Sequence, residues 1–263
     1  MEYKKKMLIC DDTMEGIFTA VYDGWRWGNR GFSVGIAVRE PDYPELFTEN
    51  LEIISDSVKA FKVARTIKNR LGGQVYEAVC YAAASVHPEK GTAIFYLLRR
   101  ALEKGRIDTR VLEARADPAV SLVSSLQVKV WHEIHRFYGF VRFREIGSGV
   151  LFSEIQPEND ILELLAPHFS DRFPNENWMI YDKKRQKVLA HEQGGECTVY
   201  IQAVLNTQET DPVQSDEYEN LWKAFCSHIT IPERKKSRSS EAVCSIKISF
   251  KYAGIQLEKV PEK

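Results

Sequence analysis

The hydrophobic period of this chain changes once, near residue 139, and that change constrains the fold more than any other feature. From about 57 to 138 apolar residues recur at helical spacing. Val58, Phe61, Ala64, Ile67 and Leu71 make one stripe. Ile94, Leu97, Leu98, Ala101 and Leu102 make a second, and Val123, Leu126, Val130, Ile134 and Phe137 a third. Such spacing returns a side chain to one helix face, so an amphipathic helix is expected at each stripe. Gly72-Gly73 and His87-Pro88 lie between the stripes and break the helical run.

After residue 139 short alternating runs take over. "FVRFREI" and "VLFSEI" around "GSG", then "NWMIYD" and "KVLAHE" around "KKRQ", read as two antiparallel hairpins, with "CTVYIQAV" as a further strand. The helix "NDILELLAPHFSDRF" interrupts them, and Tyr218, Trp222, Phe225 and Ile229 mark a closing helix. Before residue 57 the order is strand, helix, strand, strand. "KMLIC" opens it, and Asp12 with Glu15 resembles a capping box ahead of the first helix. The fold class is therefore α+β, in four segments: a β/α start (1–56), a helical region (57–138), an α+β C-terminal domain (139–232) and a poorly ordered tail (233–263).

Composition removes several classes. A net charge of −1 gives no global field toward nucleic acid or membrane, so any such attraction must come from local patches. No run of about 18 apolar residues suggests a membrane span, and "MEYKKKMLIC" lacks a signal-peptide core. Five scattered cysteines without C-x-x-C suit a reduced, cytoplasmic protein better than a disulfide or thiolate-zinc scaffold. No dinucleotide fingerprint, phosphate loop or nucleophile elbow occurs, and no cofactor is expected.

The densest chemistry lies in "EIHRFYGFVRFRE" at 133–145. His132 and Arg136 fall opposite the apolar stripe of their helix, and His135 sits at its border. "HEIH" is one residue short of the zincin H-E-x-x-H, whose ligands must stand one turn apart, so no metal site is expected. Alternation then puts Phe140, Arg142 and Arg144 on one strand face, with Arg142 opposite Glu154. That face is either a cross-strand ion pair or an arginine–aromatic platform for phosphates and bases. In "LAPHFSDRF", His168 and Arg172 enter an apolar stripe with Ile161, Leu164, Leu165 and Phe169, which implies buried partners or a cleft. Pro167 leaves open a second helix start there. A hairpin turn is enough to account for Asp182 and Arg185.

Taken as a set, "EIHRFYGFVRF", "LAPHFSDRF" and "YDKKR" resemble a bacterial family assigned to DNA metabolism and repair. Its members are encoded beside a radical-SAM protein, and its C-terminal domain of unknown function also occurs fused to uracil-DNA-glycosylase-like enzymes. The family pattern falls here on Glu133, His135, Arg136, Phe137, Gly139, Phe140, Arg142 and Phe143. It continues through Pro157, Ala166, His168, Phe169, Arg172, Phe173, Trp178, Ile180 and Asp182. The match is strong from about 130 to 185, and "CDDTMEGIFTAVYDGW" matches weakly. After "IPERK" the chain departs from the family's basic, aromatic continuation into "KSRSSEAVCSIKISF", as a frame shift or a divergence would produce.

The resemblance implies a role in DNA repair or processing and carries positions, not catalytic assignments. It does not extend to glycosylase motifs. Three functions follow as expectations. A nucleic-acid-binding accessory of a radical-SAM partner would use Arg136, Arg142, Arg144 and Arg172 on phosphates and Phe140 for stacking. An enzyme acting on DNA or nucleotides would use His135 or His168 as acid–base, with Arg172 on phosphate charge. A protein-interaction module would use the same surface to dock its partner without DNA.

Overall fold

A computed structural model of the chain describes residues 5–40, 45–102, 107–146, 149–195 and 197–201. The closing helix expected around Tyr218 to Ile229 and the tail lie outside the described residues. The architecture is α+β and divides into two compact units, residues 1–133 and 134–263.

In the first unit a three-stranded parallel sheet runs in the order β2 (Ser33–Ala37), β1 (Lys5–Ile9), β3 (Thr48–Glu52). Helix α1 (Met14–Asn29) links β1 to β2. Its cap is Thr13, whose Oγ1 accepts from the Gly16 N–H at 3.0 Å. The expected Asp12–Glu15 box does not form, because Asp12 is drawn instead to the buried Nζ of Lys90. Helices α2 (Ser57–Leu71), α3 (Gly73–Ala84) and α4 (Lys90–Ala101) follow, then a 3-10 turn (Val111–Glu113) and α5 (Pro118–Phe140), whose residues from 134 on belong to the second unit. Gly72, at φ 92°, makes the break between α2 and α3 in a backbone region open to glycine. Asp117 caps α5 by accepting from the N–H groups of Ala119 (2.9 Å) and Val120 (3.3 Å), with Pro118 in the first helical position, where no N–H is needed.

Edge strand β2 is finished by side chains of α4. Thr92 Oγ1 accepts from Ile36 N–H at 2.9 Å and donates to Ile36 C=O at 3.1 Å, while Tyr96 OH accepts from Val34 N–H at 3.3 Å. Open strand edges otherwise recruit other chains, and a residue pair one helical turn apart here occupies the exposed groups. The close approach needs Gly91: a Cβ there would sit 2.7 Å from Ile36 Cγ2 and 2.9 Å from its carbonyl oxygen. The core beneath is aliphatic and aromatic, with Leu8, Ile17, Ile36, Ile94 and Phe95 almost fully buried.

The second unit holds a five-stranded sheet in chain order: β4 (Arg144–Ile146), β5 (Val150–Ile155), β6 (Trp178–Asp182), β7 (Lys187–His191) and β8 (Cys197–Ile201). Neighbours pair antiparallel except β5 and β6, which are parallel and joined through α6 (Leu162–Arg172). Strand β6 is buried at every position, as a central strand covered on both faces must be. Pro167 starts no second helix; α6 runs through it and turns Leu162, Leu165, Ala166 and Phe169 inward.

The anchor of this unit is Asp182, fully buried at the end of β6. Its carboxylate accepts from the turn N–H groups of Lys184 (2.9 Å) and Arg185 (3.2 Å) and from Arg185 Nη1 at 3.0 Å. The Arg185 guanidinium goes on to the carbonyls of Pro157 (3.2 Å) and Glu158. The turn reading of this pair thus understates it, since the same two side chains fasten the β6–β7 hairpin to the loop that leads into α6.

Candidate functional site

The end of α5 carries His135, Arg136 and Phe140, the link to β4 carries Arg142, β4 opens with Arg144, and α6 completes the candidate group with His168 and Arg172. His135 and Tyr138 stand one turn apart on α5, with ring centroids 5.2 Å apart. Tyr138 in turn stacks on His168 of α6, at 3.9 Å between centroids and 15° between planes. Phe169 closes the stack edge-on, 5.0 Å from His168 and 6.5 Å from Tyr138. Below lies an aromatic floor of Phe143, Phe169, Phe173 and Trp178 at centroid distances of 5.3 to 6.3 Å. Edge-to-face pairs of this kind add about 0.5–1.5 kcal/mol each beyond area burial, which makes the floor stiff. Trp178 also stacks on the buried His191 ring at 5.1 Å, and His191 Nδ1 meets the Glu176 carbonyl oxygen at 3.0 Å.

Two expected site residues, His135 and His168, are therefore brought together, with Tyr138 between them. Sequence reasoning passed over Tyr138, although its place three residues after His135 on a helix was the available signal. His168 Nε2 is buried with no hydrogen-bond partner among the described residues. Burial lowers the pKa of this imidazole, and the Arg172 charge and His135 lower it further against a weaker pull from Asp171. The ring is consequently neutral at pH 7, and one of its nitrogens is an unused proton acceptor or donor, depending on the tautomer.

The cations are distributed around this stack. Arg172 is exposed, with its guanidinium 5.6 Å from the Phe173 centroid, so it does not join the buried stripe of α6. Arg136 is exposed with its guanidinium 5.9 Å from the Phe137 ring, and Phe140, one turn further along the same face, is 71% exposed. Arg144 is exposed and lies over Phe152 at 5.5 Å.

Arg142 departs from expectation. The register would set it opposite Glu154, but pairing stops at Arg144, and residues 141–143 are not strand. Arg142 instead donates to the Gly139 carbonyl at 2.8 Å, satisfying one of the orphan carbonyls at the end of α5, while Glu154 bridges to Lys183 at 3.2 Å. No Arg142–Glu154 pair forms, and Arg142 stays exposed at the helix terminus.

A second titratable group escaped sequence reasoning. Burial pushes the Glu163 carboxyl up to about 7, Asp160 adds to the rise and Lys187 opposes it. Lys187 is itself paired with Asp160. Burial works against thiolate formation at two of the described cysteines, raising Cys10 to about 12 and Cys197 to about 11. Among the described residues no group of three or more His, Cys, Asp or Glu could hold a metal ion, and no helix is long and apolar enough to cross a membrane.

The site lies wholly inside a recognised domain. A family model for DUF4130, a domain of unknown function, matches residues 88–245, more than half of the chain. The chain belongs to the DUF4130 family. Within that match fall α4, α5, α6 and all of β4–β8, whereas β1–β3 and α1–α3 precede it. No curated protein matches the chain. Among solved structures, the DHH domain of a protein described as a member of a family of ribosomal proteins is 10% identical, with a TM-score of 0.28, covering 72% of this chain and 73% of that one. RecJ in complex with Mn2+ from Thermus thermophilus is 10% identical at a TM-score of 0.24, covering 72% of this chain and 45% of its own. Likenesses this slight bear on neither fold nor function.

Proposed function

We propose that the protein is a nucleic-acid-binding accessory in DNA repair or DNA metabolism, and that the ends of α5 and α6 form its nucleic-acid surface. The observation that carries the reading is the exposure of Arg136, Arg142, Arg144 and Arg172 around the stiff Tyr138–His168 stack, with Phe140 open to solvent beside them. Guanidinium groups bind phosphates as forks, and an exposed ring offers a base a stacking face whatever its sequence. The radical-SAM partner and the repair setting rest on the family resemblance.

Four phosphate contacts predict a slope of log affinity against log salt of about −3 for single strands and about −3.5 for duplex. Between 50 and 200 mM salt that is a loss of roughly 50- to 150-fold. The test is binding of labelled single-stranded, duplex and uracil-containing DNA by the full chain across a salt series, with Arg142→Ala/Arg144→Ala beside it. The double variant should bind more weakly and lose about two units of slope. Absent or salt-independent binding would leave the partner-docking role in its place.

One observation favours a second, catalytic reading: the neutral His168 with its unpartnered Nε2, next to Arg172. A neutral imidazole beside a cation could move a proton at a phosphate or base. Loss of turnover on DNA or nucleotides in a folded His168→Ala protein would support it, and an unchanged rate would remove it.

A further inference from the structure

A cleft of about 730 Å³ opens in the first unit between α1, α2 and the end of α4. Its floor is aliphatic, built from Val21, Ile67 and Leu98, and the half-buried Trp25 forms a wall. Arg26, Arg30 and Lys62 stand exposed at its mouth. No carboxylate is among its lining residues that are described. The nearby Asp23 is committed to Lys59 at 2.8 Å, and Arg26, Arg30 and Lys62 form no ion pair among the described residues. Arg26, in the last turn of α1, and Arg30, its C-cap, are also four residues apart, a spacing at which like charges on a helix repel by a few tenths of a kcal/mol.

Trp25, Asn29 and Leu102 also wall an adjoining cleft of about 520 Å³, which brings in Arg99 and Arg100. Its carboxylate, Asp117, is paired with Arg100 at 3.2 Å. Trp25 itself is fixed by Phe95 at its edge (6.2 Å) and by the Arg99 guanidinium at 5.2 Å. The wall is thus rigid before any ligand arrives.

An apolar concavity of this volume is the usual size for a small-molecule site, and a few polar groups at such a site set the orientation of what it binds. Among the described residues all the charge at the mouth has one sign and no internal counter-ion. We infer that this cleft binds an amphiphilic anion. An apolar ring system or chain lies on the Val21–Ile67–Leu98 floor beside Trp25, and a single phosphate or carboxylate meets Arg26, Arg30 and Lys62. The site shares no residue with the proposed nucleic-acid surface. Apart from Leu98 and Leu102, its lining residues precede the DUF4130 match.

The probe is 1-anilinonaphthalene-8-sulfonate, an apolar ring system with one anionic group, titrated by fluorescence into the full-length protein. One saturable site is expected. Arg26→Glu/Arg30→Glu, at exposed positions that should not disturb folding, should weaken it at least tenfold. The same variant should leave the uncharged N-phenyl-1-naphthylamine within about twofold. Thr66→Trp, an exposed position on the cleft wall, should obstruct both probes. Circular dichroism on each variant separates loss of the site from loss of fold.

Adenosine monophosphate and decanoate then compete for the probe. Displacement by the first assigns a ring body and by the second a chain. Displacement by neither, equal displacement by inorganic phosphate, or full affinity in the charge-reversed variant overturns the inference.

Discussion

Asp182→Ala tests the reasoning about the second unit most sharply. The carboxylate is fully buried and holds two turn N–H groups and one arm of Arg185, which is itself only 17% exposed. Removing it strands a mostly buried guanidinium and leaves two backbone donors unpaired. Breaking a buried pair from one side costs about 3–5 kcal/mol, more than the pair's net worth, because the remaining charge keeps its desolvation penalty. For a unit of this size that corresponds to a fall in Tm of roughly 6–20 °C. Asp182→Asn keeps an oxygen for the turn but loses the charge and sets an NH2 donor against Arg185 Nη1 in place of an acceptor, so its cost should be about 1.5–3 kcal/mol. Arg185→Ala should resemble Asp182→Ala, and the double variant should fall well short of their sum, since both act through one network. Urea unfolding followed by far-UV circular dichroism gives the values. An Asp182→Ala loss below about 1 kcal/mol, or additive losses in the double variant, would refute the clamp.

Three further outcomes follow from individual contacts. Gly91→Ala should destabilise by about 1–3 kcal/mol despite alanine's better helix propensity, because the Ile36 carbonyl cannot retreat from the new Cβ; thermal unfolding decides it. Glu163 has a folded pKa raised to about 7, so the folded state binds the extra proton between pH 4.5 and 7 and stability falls as pH rises through that window. Glu163→Gln should therefore match the parent at pH 4.5 and exceed it at pH 8 by on the order of 2 kcal/mol, read from urea midpoints at the two pH values. His168 has the opposite linkage: its folded pKa lies below 6.5, the unfolded state binds more protons below that value, and stability falls with acidification there. Tyr138→Ala should uncover the ring and move its NMR titration upward toward 6.5, and an unmoved titration would show that the stack does not desolvate it.

Helices were legible in this sequence because the stripes at Val58–Leu71, Ile94–Leu102 and Val123–Phe137 are periodic and are punctuated by glycine and proline, although in the first stripe Val58 and Phe61 are exposed and α2 buries Ala60, Ile67 and Leu71. The two hairpins were legible from alternation. What alternation does not encode is which strands pair next, and the parallel β5–β6 pair depends on α6 crossing over between them. The finishing of β2 by Thr92 and Tyr96 was equally hidden, because both are ordinary helix-surface residues until Gly91 lets α4 reach the strand.

In the candidate site, His135 and His168 were visible as polar residues beside or within apolar stripes. Tyr138 was not, because a tyrosine at a helix border looks like core. Arg142 was misplaced because pairing was extended past Arg144, whereas the unfilled carbonyls at the end of α5 compete for its guanidinium.

The central claim, that nucleic acid meets the ends of α5 and α6, is tested most directly by photo-crosslinking. The full-length protein would be irradiated with a single-stranded oligonucleotide carrying 5-bromodeoxyuridine, and the attached peptides read by mass spectrometry. The account predicts adducts on Tyr138 or Phe140, lost in about 0.5 M salt. Adducts confined to residues outside 133–145 and 168–173, or no adducts where a known single-strand binder gives them, would contradict it.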